Sequence, residues 1–358
     1  MISRVADHCF WFGRYLERAE SAARLLHVTG NLSLDAELTA EQCWLPVVIV
    51  SGEKDHFFAR HGPDAAHDGE IVQAYMIWDD DNLTCLRRSI TAARENARSI
   101  REVVSLEAWE TVNELYLWMS SPEARADFDR DRFGFYRRIR SGVQLCLGLL
   151  RSTMLHDAPL DFIWLGVMLE RVGQTARVLD VHHHAFTNLA VAPGQEVVET
   201  ALWLSLLRAC SGFEPFMKRN MGRVTGDAVA AFLIFESDFP RSIRFCLDAA
   251  SDRFFRHIRP AGLPALPGAE TAARLEALAA WLRARSQVPL GRDIHEVLTH
   301  VVDETAAVCL GLSRELFGYG PVSIRPPPPE AGDAAPSLGY HGDAPSQSQS
   351  QSQSSTSH

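Results

Sequence analysis

No two of the seven cysteines in this sequence (Cys9, Cys43, Cys85, Cys146, Cys210, Cys246, Cys309) stand at a CxxC or metal-knuckle spacing, and their number is odd. That argues against a zinc ribbon and against a disulfide framework, and predicts buried, reduced thiols in a cytoplasmic protein. No apolar run approaches the ~20 residues that a membrane span requires, and the opening MISRVADHCFWFGRYLERAE has no apolar signal core. No basic excess exists either: a formal net charge of −10 argues against non-specific binding to nucleic acid or to an anionic membrane. GxSxG, Walker and GxGxxG patterns are absent, so spacing reveals neither a nucleophile–base pair nor a phosphate cradle, and no cofactor is expected. His295-Glu296 with His300 fails as a zinc-protease motif, because histidines five apart do not share a helix face. The run His182–His184 points in several directions on a helix, and a C-terminal cap or solvated segment is the expectation. No metal is expected.

What is present is a repeat. Trp11–Val28 (WFGRYLERAESAARLLHV) and Trp164–Val181 (WLGVMLERVGQTARVLDV) align without a gap, 153 residues apart, with nine of eighteen positions identical. So long a period is not that of a solenoid; it predicts a duplicated half-domain whose two copies face each other. Phe12, Leu16, Ala19, Ala23 and Leu26 fall on one helical stripe, and Leu165, Leu169, Val172, Ala176 and Leu179 repeat it. Beside the stripe runs a polar line, Gly13, Glu17, Glu20 and Arg24, matched by Gly166, Glu170, Gly173 and Arg177. The two helices are expected to pack on each other with Glu17 and Glu170 buried.

Weaker echoes extend the repeat. Trp44, Leu45 and Gly52 correspond to Trp203, Leu204 and Gly212, and Leu83–Ala93 corresponds to Pro240–Ala250. Val47–Val50 reads as a strand on β-propensity alone, but its partner Ser205–Ala209 reads as helix, so both are assigned to helices. The predicted fold is all-α, a helical bundle built from two pseudo-symmetric halves, about 1–150 and 151–320. Helices are expected over Asn82–Val104, Leu106–Met119, Arg130–Leu150, Ala272–Arg285 and about 293–316, with a loop over Gly52–Gly69. Residues 321–358, rich in proline and then in Ser/Gln repeats, are expected to form a disordered tail.

Two constellations could carry binding chemistry. Glu17, Glu20 and Arg24 lie at i, i+3 and i+7, facing Glu170, Arg171 and Arg177 of the second copy. Such carboxylates could ligate a metal or bind a cationic ligand. Equally, they could form a buried Glu–Arg network that sets helix register, with Gly13 and Gly166 permitting close approach. The di-metal pattern of four-helix bundles needs Glu-x-x-His on two helices, and this chain has Glu17-x-x-Glu20 and Glu170-x-x-Gly173. The second constellation is Arg94, Arg98 and Arg101 with Asn96, a basic helix face that the other half does not reproduce and that suits a carboxylate or phosphate. A solvated charged face is its plain alternative.

The segments SRVA (3–6), WFGRYLERAE (11–20), ARLL (23–26), AARENARSI (92–100), NELYLW (113–118) and Phe162–Val181 resemble, in order, the blocks of the bacterial Alpha-E family, over about residues 1–318. The resemblance implies an all-α protein found beside circularly permuted ATP-grasp ligases and transglutaminase-like peptidases. It brings Arg14, Glu17, Arg18, Glu20 and Arg24 of the first block, and Glu170, Arg171 and Arg177 of the second, forward as binding candidates. Val167 and Gly173 stand where the family tends to repeat an arginine and an acid, so the two sites are expected to be unequal. The preferred reading is a non-catalytic accessory or binding protein of a peptide-synthesis or peptide-modification system, partnering an ATP-grasp-type ligase. Alternatives are an enzyme of peptide or amide chemistry using the Glu/Arg cleft, and a self-assembling structural protein; a homo-oligomer stays open.

Overall fold

A long helix needs a continuous apolar stripe, and the two repeated segments supply the longest helices of the chain. In the computed structural model the described residues are 3–35, 38–188, 196–222, 224–260, 266–286 and 294–319. Among them are fifteen α-helices and no strand: α1 (Ser3–Asp35), α2 (Ala40–Ser51), α3 (Lys54–His61), α4 (Gly69–Trp78), α5 (Leu86–Ser99), α6 (Leu106–Met119), α7 (Pro122–Arg130) and α8 (Arg132–Thr153), then α9 (Ala158–Asn188), α10 (Glu196–Ala209), α11 (Phe213–Arg219), α12 (Gly226–Phe235), α13 (Ile243–Arg253), α14 (Ala269–Arg285) and α15 (Ile294–Glu315). None of these helices is long and apolar enough to cross a membrane. The expected tail from 321 lies outside the described residues.

The core is organised around α1 and α9, which share the most extensive helix–helix contact. α5 and α8 cover α1, and α13 and α15 cover α9. Phe12, Leu16 and Leu26 of α1 and Leu165, Leu169 and Leu179 of α9 are buried, as the stripe predicts. Each such side chain contributes about 1.5–3 kcal/mol by leaving water. Where the helices meet, both lack a side chain. A Cβ on Gly13 would fall 2.0 Å from the Ile163 carbonyl oxygen, and one on Gly166 would fall 2.1 Å from that of Phe10. Only glycine admits backbone this close. Contacts advance together along both chains, Gly13 on Ile163 and Val167 and then Glu17 on Arg171, so the two helices run in the same direction.

Other contacts recur between the two parts of the chain. The Trp44 indole covers Gly69 as the Trp203 indole covers Gly226. Arg60 pairs with Asp79 and Asp81 as Arg219 pairs with Glu236 and Asp238. Val47–Val50 lies in α2, which is opened by a Thr39–Gln42 capping box and closed at Gly52, whose φ of +81° suits glycine.

Three expectations need correction. Gly52–Gly69 is not a loop: it holds α3 and a 3₁₀ turn at Ala65–His67. Polar composition concealed a short helix anchored by Phe57, fully buried against Tyr75. The helix expected from Asn82 begins at Leu86, because the Asn82 side chain folds back, accepting from the Thr84 amide and donating to the Tyr75 carbonyl. The histidine run neither caps a helix nor lies wholly in solvent. α9 continues past it to Asn188, and buried His182 pairs through Nδ1 with the Val178 carbonyl, 2.8 Å away.

Candidate functional site

The parallel packing of α1 on α9 puts the Glu–Arg pair of each helix beside that of the other. Arg171 of α9 donates Nε and Nη2 to the two oxygens of Glu17 on α1, at 3.0 and 2.6 Å. In return Arg18 of α1 donates Nε and Nη2 to Glu170 on α9, at 2.8 and 3.2 Å. Both are planar two-point pairs, which a lysine could not form. Glu and Arg at adjacent positions point about 100° apart on a helix, so one can face its partner's arginine while the other reaches across.

Around Glu17 the network is closed. Arg241, from the turn before α13, donates Nη1 to Glu17 Oε1 at 2.7 Å and Nη2 to Glu20 Oε2 at 2.6 Å, bridging the two carboxylates. Arg24 binds Glu20 Oε1 from one turn further along α1, and Gln144 donates to the same oxygen at 3.2 Å. Ser21 donates to Glu17 at 3.1 Å. Glu17 and Glu20 have no solvent exposure. Burial by itself would raise the Glu20 carboxyl, but Arg241 and Arg24 outweigh it and hold the group down at about 2. The same two glutamates raise Arg241 against its own burial.

Around Glu170 the network is incomplete. Arg14 donates Nε to Oε2 at 2.5 Å, and Gln174 donates to Oε1 at 3.1 Å. Burial pushes the Glu170 carboxyl up, and Arg14 and Arg18 pull it far below the usual carboxylate range. Arg177, however, forms no hydrogen bond or ion pair among the described residues. Its guanidinium lies over Gly173, with Nη1 3.4 Å from where a Cβ would sit. Burial lowers its proton affinity, Glu170 opposes that, and Arg14 and Arg18 add to the lowering. Arg14, Arg18, Arg177 and Gln174 line a cavity of about 260 Å³ together with Leu25, Leu26, Val47, Val50 and Met76 and with Ser51 and Thr84.

The structure thus brings together Glu17, Arg18, Glu20, Arg24, Glu170, Arg171 and Arg177, with Arg14. It places the α5 residues elsewhere. The Asn96 side chain meets His8 at 2.8 Å, nine residues before Glu17, or about 14 Å along the helix. Arg94 donates to Asn113 at 3.1 Å, pairs with Glu95, and lies over the Trp109 and Tyr116 rings. Arg98 is exposed and pairs with Glu95. None of these partners touches a glutamate of the two centres. Arg241 is the residue that sequence reasoning missed. Its turn was aligned with the first half, but Thr84 stands opposite it there, and an arginine without a counterpart carried no motif signal. A second pairing absent from the sequence reading joins buried Asp161 to half-buried Arg253 and exposed His257, at 2.9 and 2.5 Å.

Every oxygen of the three carboxylates accepts from at least one arginine. Held in this way, Glu20 and Glu170 are poor proton acceptors. Among the described residues no group of three or more His, Cys, Asp or Glu side chains is placed to hold a metal ion. Burying this many charges stabilises little in net terms, but removing one partner leaves the rest uncompensated.

Comparison with known proteins places this geometry. No solved structure matches the chain. An uncharacterized protein of Mycobacterium bovis is 24% identical over 309 residues, which is 82% of this chain and 33% of that protein. An uncharacterized protein of Mycobacterium tuberculosis strain H37Rv is 23% identical over 309 residues with the same coverage. The chain therefore spans about a third of the length of the curated relatives it matches. Residues 1–317 match the model of Alpha-E, described as a predicted alpha-helical domain with a conserved ER motif. The Glu–Arg dipeptide occurs twice here, at Glu17–Arg18 and Glu170–Arg171, where each glutamate is held by the other's arginine, and the chain belongs to the Alpha-E family.

Proposed function

We propose that this chain is a non-catalytic helical accessory module of a cytoplasmic peptide-synthesis or peptide-modification system, built by duplication of a half-domain and working with an ATP-grasp-type ligase and a transglutaminase-like peptidase. The observation that carries the first part is the reciprocal exchange of Glu17 with Arg171 and Glu170 with Arg18. The motif residues bind one another across the central helix pair, and so act as a clasp rather than as acid, base or nucleophile. The duplication is supported by the reciprocal glycine contacts at 13 and 166 and by the recurring Trp–Gly and Arg–acid pairs. Partnership is supported by the Alpha-E resemblance. It is also supported by the relatives, in which the matched region is about a third of a longer polypeptide.

The test is affinity purification of the full chain from its native host, read by mass spectrometry, with an unrelated helical protein as control. Stoichiometric recovery of an ATP-grasp-type ligase or a transglutaminase-like peptidase is the expected result. Recovery of neither, or turnover of peptide amides by the purified chain alone, overturns the reading.

A further inference from the structure

We propose that the cavity beside Glu170 binds a small organic carboxylate with a short apolar side chain, held by Arg177 with Arg14 and Arg18. The two aligned helix segments differ in what meets their last arginine. In the first, Glu20 stands four residues before Arg24 and takes its guanidinium; in the second, Gly173 stands four residues before Arg177 and offers no side chain. Three guanidiniums bond two carboxylates around Glu17. Around Glu170 two guanidiniums bond one, and the third faces the cavity without a partner among the described residues. A ligand carboxylate on Arg177 supplies the group that Glu20 supplies in the first centre.

The cavity chooses among anions. Its volume of about 260 Å³ corresponds to about nine waters at ~30 Å³ each, room for a small acid and not for a chain of residues. Besides the arginines and Gln174, its lining is mostly apolar, with Ala22, Leu25, Leu26, Val47, Val50 and Met76, and its Ser51 and Thr84 hydroxyls already donate to the Val48 carbonyl and to Asn82, at 2.7 and 2.8 Å. A phosphate needs donors on every side, and beyond the guanidiniums and Gln174 this lining has few left to offer, which is costly. A carboxylate presents one charged end that fits a guanidinium fork, and leaves its hydrocarbon for the apolar lining.

The proposal does not rest on the accessory reading, since it concerns the isolated chain and a small molecule. It is tested by calorimetric titration and by melting temperature on the full chain. The probes are isobutyrate, isovalerate and 4-methylpentanoate, with isovaleramide and inorganic phosphate as comparisons. At least one of the three carboxylates is expected to raise the melting temperature and to bind about tenfold or more tightly than the amide or phosphate. Arg177→Gln should lose that binding. Gly173→Glu should lose it too while keeping Arg177, because the new carboxylate occupies the guanidinium from within. Should Arg177→Gln be unstable, Arg177→Lys decides, with a fall of about fivefold or more expected from loss of the fork. Absence of binding by all three acids, equal binding of the amide, tighter binding of phosphate, or unchanged affinity in Gly173→Glu overturns the proposal.

Discussion

The centre around Glu17 and the centre around Glu170 are made from the same helix motif, yet one is saturated and the other is not. Four substitutions separate them: Arg14 against Val167, Glu20 against Gly173, Ser21 against Gln174 and, in the turn before α5 and α13, Thr84 against Arg241. The first centre gains a second carboxylate and a bridging arginine, and has no solvent exposure at either glutamate. In the second, the spare arginine from α1 binds Glu170 and Arg177 is left facing a cavity. A shared motif can therefore fix the packing of two helices in both places and still leave chemistry available in only one.

The sharpest way to break this comparison is to remove one charge from each centre. Glu17→Gln strands two largely buried guanidiniums, Arg171 and Arg241, and is expected to cost about 3–5 kcal/mol. Glu170→Gln leaves Arg14 and Arg18 beside a cavity that admits water, and is expected to cost about 1–3 kcal/mol. Urea unfolding of the two variants measures both values. Equal costs would mean that the two centres are energetically alike.

Acid should open both centres. Glu20 sits at about 2 against an ordinary 4.5, and Glu170 is likewise held far below that value by Arg14 and Arg18 against its own burial. Below 4.5 the unfolded chain takes up protons that the folded carboxylates refuse, so stability present at neutral pH is lost as pH falls towards 2, by up to about 3 kcal/mol from Glu20. Buried His182, held at about 4 by desolvation against the opposing hydrogen bond it donates to the Val178 carbonyl, acts in a higher window. The unfolded imidazole protonates near 6.5 and the folded one does not, so stability also falls between 6.5 and 4. Carboxyl-carbon NMR should show Glu20 and Glu170 still ionised well below pH 4.5; protonation of either near 4.5 would contradict the hold of its arginines. His182→Gln should lessen the loss in the upper window and leave the lower one unchanged; the rest of the upper window belongs to His27, lowered to about 4 by burial and by Arg140 and Arg24.

How much of this could be read from the chain follows from what kind of signal each feature leaves. The packing of α1 on α9, with Glu17 and Glu170 buried, was legible because apolar periodicity and a gapless repeat both report on one helix at a time. The helical state of Val47–Val50 was legible only through its partner segment, since local propensity favoured a strand. α3 was hidden because its stability comes from one residue, Phe57, and a single buried ring leaves no period. The role of Arg241 was hidden for another reason: a turn arginine acquires meaning only when the fold carries it to glutamates more than 220 positions away in the chain. Arg94 and Arg98 illustrate the converse. A charged face is readable from spacing, but what it faces is not, and here it meets Glu95 of its own helix and the Trp109 and Tyr116 rings of α6.

The smallest effect is the one that sharpens the comparison most. Gly173→Glu rebuilds in the second centre the i,i+4 arrangement of Glu20 and Arg24, and the Cβ it adds meets Arg177 Nη1 at 3.4 Å, an ordinary contact that a flexible side chain accommodates. Two gains are then expected in the unliganded protein. Replacing a mid-helix glycine contributes about 0.5–1 kcal/mol whatever the new side chain. Pairing with Arg177 adds about 0.5–1 kcal/mol more, in the range of a partly exposed ion pair. Gly173→Ala isolates the first gain, and the difference between the two variants isolates the second. Repeating both in an Arg177→Gln background should abolish that difference, because the cycle removes the one interaction in question. If the difference survives without Arg177, the new carboxylate is satisfied by Arg14 or Arg18 instead. The guanidinium of Arg177 would then not be the unmatched charge that distinguishes the second centre from the first.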